Sequence, residues 1–265
     1  MKALSRIYVG LIFFLLYVPI LVLIIFSFNE GGSLASFTGV SLKWYRELFA
    51  DEEALTSLRN SVVLAVSAAL IATVIGTFGA LGLNTMRKRW LRGAVQTVTN
   101  IPMMNPDIVT GVSMMLLFVY FKNLFGFRMG FGTVLIAHVT FCLPYVILNV
   151  LPKLRQMDQS LFEAAMDLGC HPMAAFFKVV IPQIMPGITA GFLMAFTISL
   201  DDFVVTYFTS GSGFKMLPVT IYSMVKKKVN PQINALSTII FLIVLALLAV
   251  MNIVEARRAK RLKQN

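Results

Sequence analysis

Charge is scarce in this sequence. Only 13% of the 265 residues are Asp, Glu, Lys or Arg, where soluble domains carry about 25%. With 58% hydrophobic residues and a mean hydropathy of +0.81, the chain has too few polar side chains to cover a water-facing surface. An ordinary soluble enzyme or nucleic-acid-binding protein is thereby excluded, in spite of a net charge of +11. In a membrane protein a surplus of Lys and Arg fixes orientation instead. Cysteine is nearly absent: Cys142 sits in an apolar stretch and Cys170 in a polar loop, so neither a disulfide framework nor a metal site is expected. No Gly-x4-Gly-Lys-Ser/Thr phosphate loop occurs, so the chain does not bind a nucleotide that way. No fixed-period repeat, low-complexity tract or linker divides it, and residues 1–265 read as one transmembrane domain.

What is present in quantity is long apolar sequence. About 20 apolar residues span the hydrocarbon core as a helix, and six stretches qualify: Ile7–Phe28, Val62–Leu83, Val95–Phe121, Gly130–Leu151, Gly187–Tyr207 and Ala235–Val254. None contains Lys or Arg. The first is too long for a signal-peptide core and lacks a small-x-small cleavage pattern, so it reads as a retained helix that ends at Asn29-Glu30-Gly31-Gly32-Ser33. The fold class that follows is all-α, a polytopic membrane protein with six transmembrane helices. Most of the Lys and Arg fall on one side, led by the acid-free Arg87, Lys88, Arg89, Arg92 cluster in a short loop, although Lys226–Lys228 lies opposite. Both termini are therefore expected in the cytoplasm.

Between Pro152 and Pro186 the expected cytoplasmic side holds a segment far longer than a turn, at about 152–186. Residues 159–168 have helical periodicity, with Leu161, Ala164, Ala165 and Leu168 on one side, and Gly169 is a C-terminal stop. A second short helix is expected from Met173 to about Val180, ending before Pro182. A helix–Gly–helix element with small Ala residues suits docking against a soluble partner, and equally an interfacial amphipathic hairpin.

Acids inside the spans are the strongest chemical signal. Asp107 lies in Asn105-Pro106-Asp107 of the third stretch, and Asp201-Asp202 follow Ser199-Leu200 in the fifth. Counted at 1.5 Å per residue, both places fall between the bilayer midplane and its outer half. An aspartate there costs about 2.5–3.5 kcal/mol and marks a functional site by default. Pro102 and Pro106 interrupt backbone pairing, which is tolerated beside a cavity. No span supplies Lys or Arg, which leaves His138 as the one basic candidate within them, itself expected to be a buried hydrogen-bonding residue. The acids are thus protonated, hydrated, paired to a partner subunit, or open to a passing cation. Adjacent helical residues point about 100° apart, so Asp201 and Asp202 cannot both face one point. Trp44, beside Lys43 and Tyr45 near the first span, is either an interfacial anchor or a face for an amine.

Glu163-Ala164-Ala165, Gly169 and Val179-Val180-Ile181-Pro182 resemble the E-A-A-x3-G-x9-I-x-L-P motif of ABC importer permeases. The chain differs from it by Val for Ile and Ile for Leu. Ser41-Leu42-Lys43-Trp44-Tyr45, Asn105-Pro106-Asp107-Ile108-Val109, His138 through Pro144, Ser199-Leu200-Asp201-Asp202 and Leu217-Pro218 through Val225 extend the likeness over nearly the whole chain. They are similar to the PotC-type permeases of spermidine/putrescine ABC importers. The resemblance implies an ABC type I importer fold and a bacterial inner-membrane location. It implies a second homologous permease, an ATPase dimer that binds ATP and Mg, an extracytoplasmic polyamine-binding protein and surrounding lipid as partners, with no nucleic acid. It also implies that Trp44, Asp107, Ser199, Asp201 and Asp202 take part in polyamine passage. Glu163, Ala164, Ala165, Gly169 and Pro182 would form the ATPase-coupling loop. No catalytic residue, cofactor or metal is expected in this chain. The rival expectation is an ion- or proton-coupled carrier of a cationic solute, which leaves the Glu163–Pro182 spacing unexplained. An anion permease would set its cargo against three carboxylates.

Overall fold

The computed structural model describes residues 2–32, 36–158, 160–211, 213–227 and 231–264; Ser33, Gln159 and Lys228, which figure in the expectations above, lie outside them. The described residues are mostly helical, with non-helical connections such as the one that holds the Asn29–Val40 bridge. Helix α1 covers Lys2–Ser27, α2 Lys43–Ala50, α3 Glu52–Thr85, α4 Arg89–Met104, α5 Asp107–Phe125 and α6 Phe131–Gln156. Helix α7 covers Ser160–Asp167, α8 Pro172–Ala175, α9 Ile181–Asp201, α10 Val204–Thr209, α11 Leu217–Lys227 and α12 Gln232–Gln264. A π-turn, Phe176–Val180, joins α8 to α9. Among the described residues, six helices are long and apolar enough to cross a membrane: Tyr8–Ser27, Glu52–Thr85, Asp107–Phe125, Phe131–Gln156, Pro172–Asp201 and Gln232–Ala249.

The second span begins at Glu52, well before Val62, and two further spans depart more deeply from the apolar stretches read in the sequence. The third stretch is divided at Asn105–Pro106, and Asp107 becomes the first residue of α5 rather than a mid-helix residue. Proline drives the residue before it out of the α region, and Asn105 is extended at φ −83°, ψ 136°. The fifth span starts at Pro172, not Gly187, and Pro182 does not end a helix. In the π-turn the Ile181 N–H reaches back five residues to the Phe176 carbonyl. Pro182 then falls in the first turn of α9, where its missing N–H costs nothing. The same span stops at Asp201, Asp202 is extended, and α10 starts afresh two residues later.

The chain forms two compact units. One runs through Ser57 and resumes at Thr220. There α12 packs on α1 and α2. Asp51 Oδ1 accepts the Glu53 and Ala54 N–H groups at 3.0 Å to start α3, while its Oδ2 takes Gln232 Nε2 at 3.2 Å. Apolar side chains cover the outside of α1, including Phe13, Phe14, Leu15 and Leu16, each more than half exposed, as a lipid-facing helix requires.

The second unit, Leu58–Val219, is organised by α6 against α9. Small residues permit the close approach on which membrane helices rely. A Cβ on Gly191 would stand 3.2 Å from Val146 Cα, and one on Gly76 of α3 would stand 2.7 Å from Val146 Cγ1. Val146 is therefore clasped between two glycine faces and is fully buried.

Candidate functional site

Two interrupted helices meet in the second unit. The break between α4 and α5 supplies Pro102, Asp107 and Thr110, and the break between α9 and α10 supplies Ile198 and residues 201–205, to one cavity of about 360 Å³. Phe141 and Tyr145 of α6 complete its wall. Volumes of about 300–1,000 Å³ are usual for small-molecule sites. Helices α5 and α10 pack together, and Gly111 makes that possible, since a Cβ there would lie 3.3 Å from the Val204 carbonyl and 3.0 Å from the Phe208 ring.

Chain ends give this cavity its electrostatics. The last-turn carbonyls of α9 carry the negative end of a helix dipole, worth roughly half a charge, and Asp201 sits there exposed. Asp107 is exposed in the first turn of α5, at the positive end of that helix dipole. Among the described residues neither Asp107 nor Asp201 has an ion-pair partner. Among the same residues no group of three His, Cys, Asp or Glu is placed to hold a metal.

Asp202 is different. Its Oδ2 accepts the Thr206 N–H at 2.7 Å and the Thr206 hydroxyl at 2.9 Å, and its Oδ1 accepts the Val205 N–H at 3.3 Å, so the carboxylate caps α10. Its Oδ2 is also 3.5 Å from His138 Nε2. His138 is fully buried, with Nε2 3.0 Å from the Thr206 hydroxyl and Nδ1 2.7 Å from that of Ser199. Because Thr206 donates to Asp202, its oxygen accepts from Nε2–H; in the neutral ring Nδ1 then accepts from Ser199. Ser199 is itself fully buried and absent from the cavity lining. The sequence reading placed His138 among buried hydrogen-bonding residues and missed its partners, which lie 61 and 68 positions away.

Trp44 belongs to the other unit. Its Nε1–H donates to the Asn29 carbonyl at 2.7 Å, and the Lys43 ammonium stands 5.0 Å from its ring centroid. Trp44 is buried, with its indole N–H tied to the backbone and its ring beside the Lys43 ammonium.

The segment after α6 is exposed. Helix α7 buries none of its residues, and Leu168 is 89% exposed. Glu163 and Ala164 are open to solvent and Ala165 is half-buried. Gly169, at φ +80°, closes the helix: its N–H reaches Met166 O, and Cys170 N–H reaches Ala165 O, the paired bonds of a glycine-ended helix. Asp158 begins the segment by accepting the Ser160 N–H at 3.0 Å, and hydrogen bonds from Ser160 hold its carboxyl below the usual carboxylate range.

Comparison with known proteins adds the following. Residues 72–264 match the family described as binding-protein-dependent transport system inner membrane component. The putrescine transport system permease protein PotI of Escherichia coli K12 is 42% identical over 231 residues, 86% of this chain and 82% of that protein. The spermidine/putrescine transport system permease protein PotC of Haemophilus influenzae is 39% identical over 91% of this chain and 92% of its own length. Among solved structures, a bacterial ABC transporter involved in import of the acidic polysaccharide alginate superposes with a TM-score of 0.71 at 15% identity. It covers 98% of this chain and 95% of that one. The MetNI methionine ABC transporter gives 0.62 at 18% identity, over 77% of this chain and 95% of that one. At such identities the structural likeness concerns the fold.

Proposed function

The chain belongs to the binding-protein-dependent transport inner membrane components, and from that premise we propose that it is the permease subunit through which an ATP-driven importer passes polyamines, spermidine or putrescine, into the cell. The observation that carries the substrate class is the pair of ion-unpaired carboxylates, Asp107 and Asp201, converging on one cavity from two helix breaks. A travelling ammonium group completes a charge balance that no described side chain completes. The dipole end of α9 adds to that attraction, and the PotI and PotC relatives are named for the same cargo. An anion in this cavity would be repelled.

The remaining roles follow the resemblance. Trp44 is assigned to the route by the resemblance; its buried ring is held beside Lys43, so an incoming amine would have to displace that ammonium. Asp202 lines the cavity from its capping position, and Ser199 acts from behind the wall. Residues 152–186 are the coupling segment, its two ends continuous with the helices of the fourth and fifth spans, with Glu163, Ala164, Ala165, Gly169 and Pro182 at the ATPase contact; the exposed apolar side chains of α7 support a docking role. The whole chain is one permease domain in the bacterial inner membrane, with both termini in the cytoplasm. It works with a second, homologous permease, an ATPase dimer that holds ATP and Mg, and an extracytoplasmic polyamine-binding protein. ATP binding closes the ATPase pair, the loop moves and the cavity opens outward; hydrolysis returns it to the cytoplasmic side.

Reconstitution of the assembled complex in vesicles tests this. Labelled spermidine or putrescine is expected to enter only with ATP and binding protein present. Asp107→Asn and Asp201→Asn should each lower uptake at least tenfold without loss of assembly. Uptake driven by an ion gradient without the ATPase, or normal uptake by both variants, would overturn the proposal.

A further inference from the structure

His138 is buried completely and touches no solvent, yet it joins three pieces of chain that the α9–α10 break would otherwise leave independent. One nitrogen holds Ser199 in the last turns of α9, and the other holds Thr206 in α10 and approaches Asp202 in the break itself. Its ring also lies 4.9 Å from that of Phe141, a cavity-wall residue. The imidazole therefore forms a second layer, one side chain behind the cavity surface. With the imidazole neutral its bonds have a direction: Ser199 hydroxyl to Nδ1, Nε2–H to Thr206 oxygen, Thr206 hydroxyl to Asp202. Each buried polar group in that chain is satisfied by the next, and loss of one leaves others unpaired at real cost. Asp202 spends both oxygens on α10, whereas Asp201 spends neither in any bond of the described structure.

We propose that His138 is a positioning residue of the transport step: by bonding Ser199, Thr206 and the region of Asp202 together, it locks the α9–α10 break so that Asp201, not Asp202, is the carboxylate presented to the substrate. The substrate's identity rests on the polyamine reading above; the lock does not. Removal of the imidazole frees α10 to shift against α9, and Asp201 loses its fixed aim while remaining in place in the sequence.

The test uses the assembled transporter in membranes. Asp201→Cys is introduced with Cys170→Ser, and its modification by a positively charged thiosulfonate reagent is timed; the parent bearing Asp201 reports any background from buried Cys142. Adding His138→Leu should change the rate at least fivefold. His138→Gln, whose amide N–H can replace Nε2–H toward Thr206, should restore it to within twofold. If the Leu variant fails to assemble, Thr206→Val, which cuts the same chain at its next link, should reproduce the change. An unchanged rate in intact His138→Leu or Thr206→Val complexes overturns the lock, as does a Gln variant as disturbed as Leu. In the Asp201 background, polyamine moved per ATP hydrolysed should fall at least tenfold for His138→Leu and recover for His138→Gln. Absence of polyamine uptake by the unmodified complex would remove the substrate assignment and leave the labelling result standing.

Discussion

Trp44 carries two functions that one substitution can separate. Its N–H satisfies the Asn29 carbonyl inside the first unit, and its ring faces an ammonium. Trp44→Phe keeps an aromatic face and removes the N–H donated to the Asn29 carbonyl, a loss of about 0.5–1.5 kcal/mol. Trp44→Leu removes both. If the ring guides a cation, the Phe variant should retain most uptake while melting at a lower temperature, and the Leu variant should lose uptake as well. Equal uptake by both variants, measured per assembled complex, would remove Trp44 from the route. For the intramembrane polar residues the sequence was only partly legible. Acids inside apolar stretches are visible from composition alone, and the expectation that Asp201 and Asp202 diverge follows from helix geometry. That Asp202 caps a new helix was not visible, because the cap depends on α9 ending at Asp201, and the apolar run continues unbroken past that point. The lack of Lys and Arg in the spans directed attention to His138, but a single sequence contains no trace of the fold that sets it against Ser199 and Thr206.

Between elements, the site depends on where helices stop. Pro106 announces one stop by simple sterics, whereas hydropathy draws a single stretch across it; the apolar character of Ile101 to Val109 reflects location, not continuity. Pro182 illustrates the converse, a proline that looks like a terminator and is absorbed by the π-turn before it. The two breaks form one cavity only because α5 and α10 pack closely, and Gly111 is the residue at which they do. A side chain there meets Val204 O, Val205 Cα and the Phe208 ring within 3.0–3.4 Å. Gly111→Val should therefore push α10 away from α5 at a cost of about 1–3 kcal/mol, the usual range for overpacking. Uptake is expected to fall severalfold more than the amount of assembled complex. Thermal unfolding in detergent alongside vesicle uptake checks this; full uptake at normal stability would show that the cavity tolerates a wider separation.

At the level of the whole molecule, the chain belongs to a family of transport-system membrane components, and in the proposed assembly energy enters from the ATPase. Helix α7 is where the fold leaves room for that. Glu163 is solvent-exposed, the surrounding Leu161, Met166 and Leu168 are unburied, and the Gly169 turn holds the following α8 and π-turn in sequence with the span that ends at Asp201. In the proposed assembly a push on the loop would travel along a single span, Pro172–Asp201, to the break that lines the cavity. Glu163→Lys reverses one charge on an exposed face and touches no buried contact, so folding and insertion should be little altered. In the proposed assembly the same change sets a cation against a surface that received a carboxylate. Copurification of the ATPase should weaken, and stimulation of ATP hydrolysis by loaded binding protein should fall at least fivefold, while labelling of Asp201→Cys in the cavity stays at the parental rate. Stimulated hydrolysis and copurification that both match the parent would place the energy input elsewhere on the cytoplasmic face. A cavity labelling rate altered along with them would mean that the substitution acts by disturbing the span and not by uncoupling it.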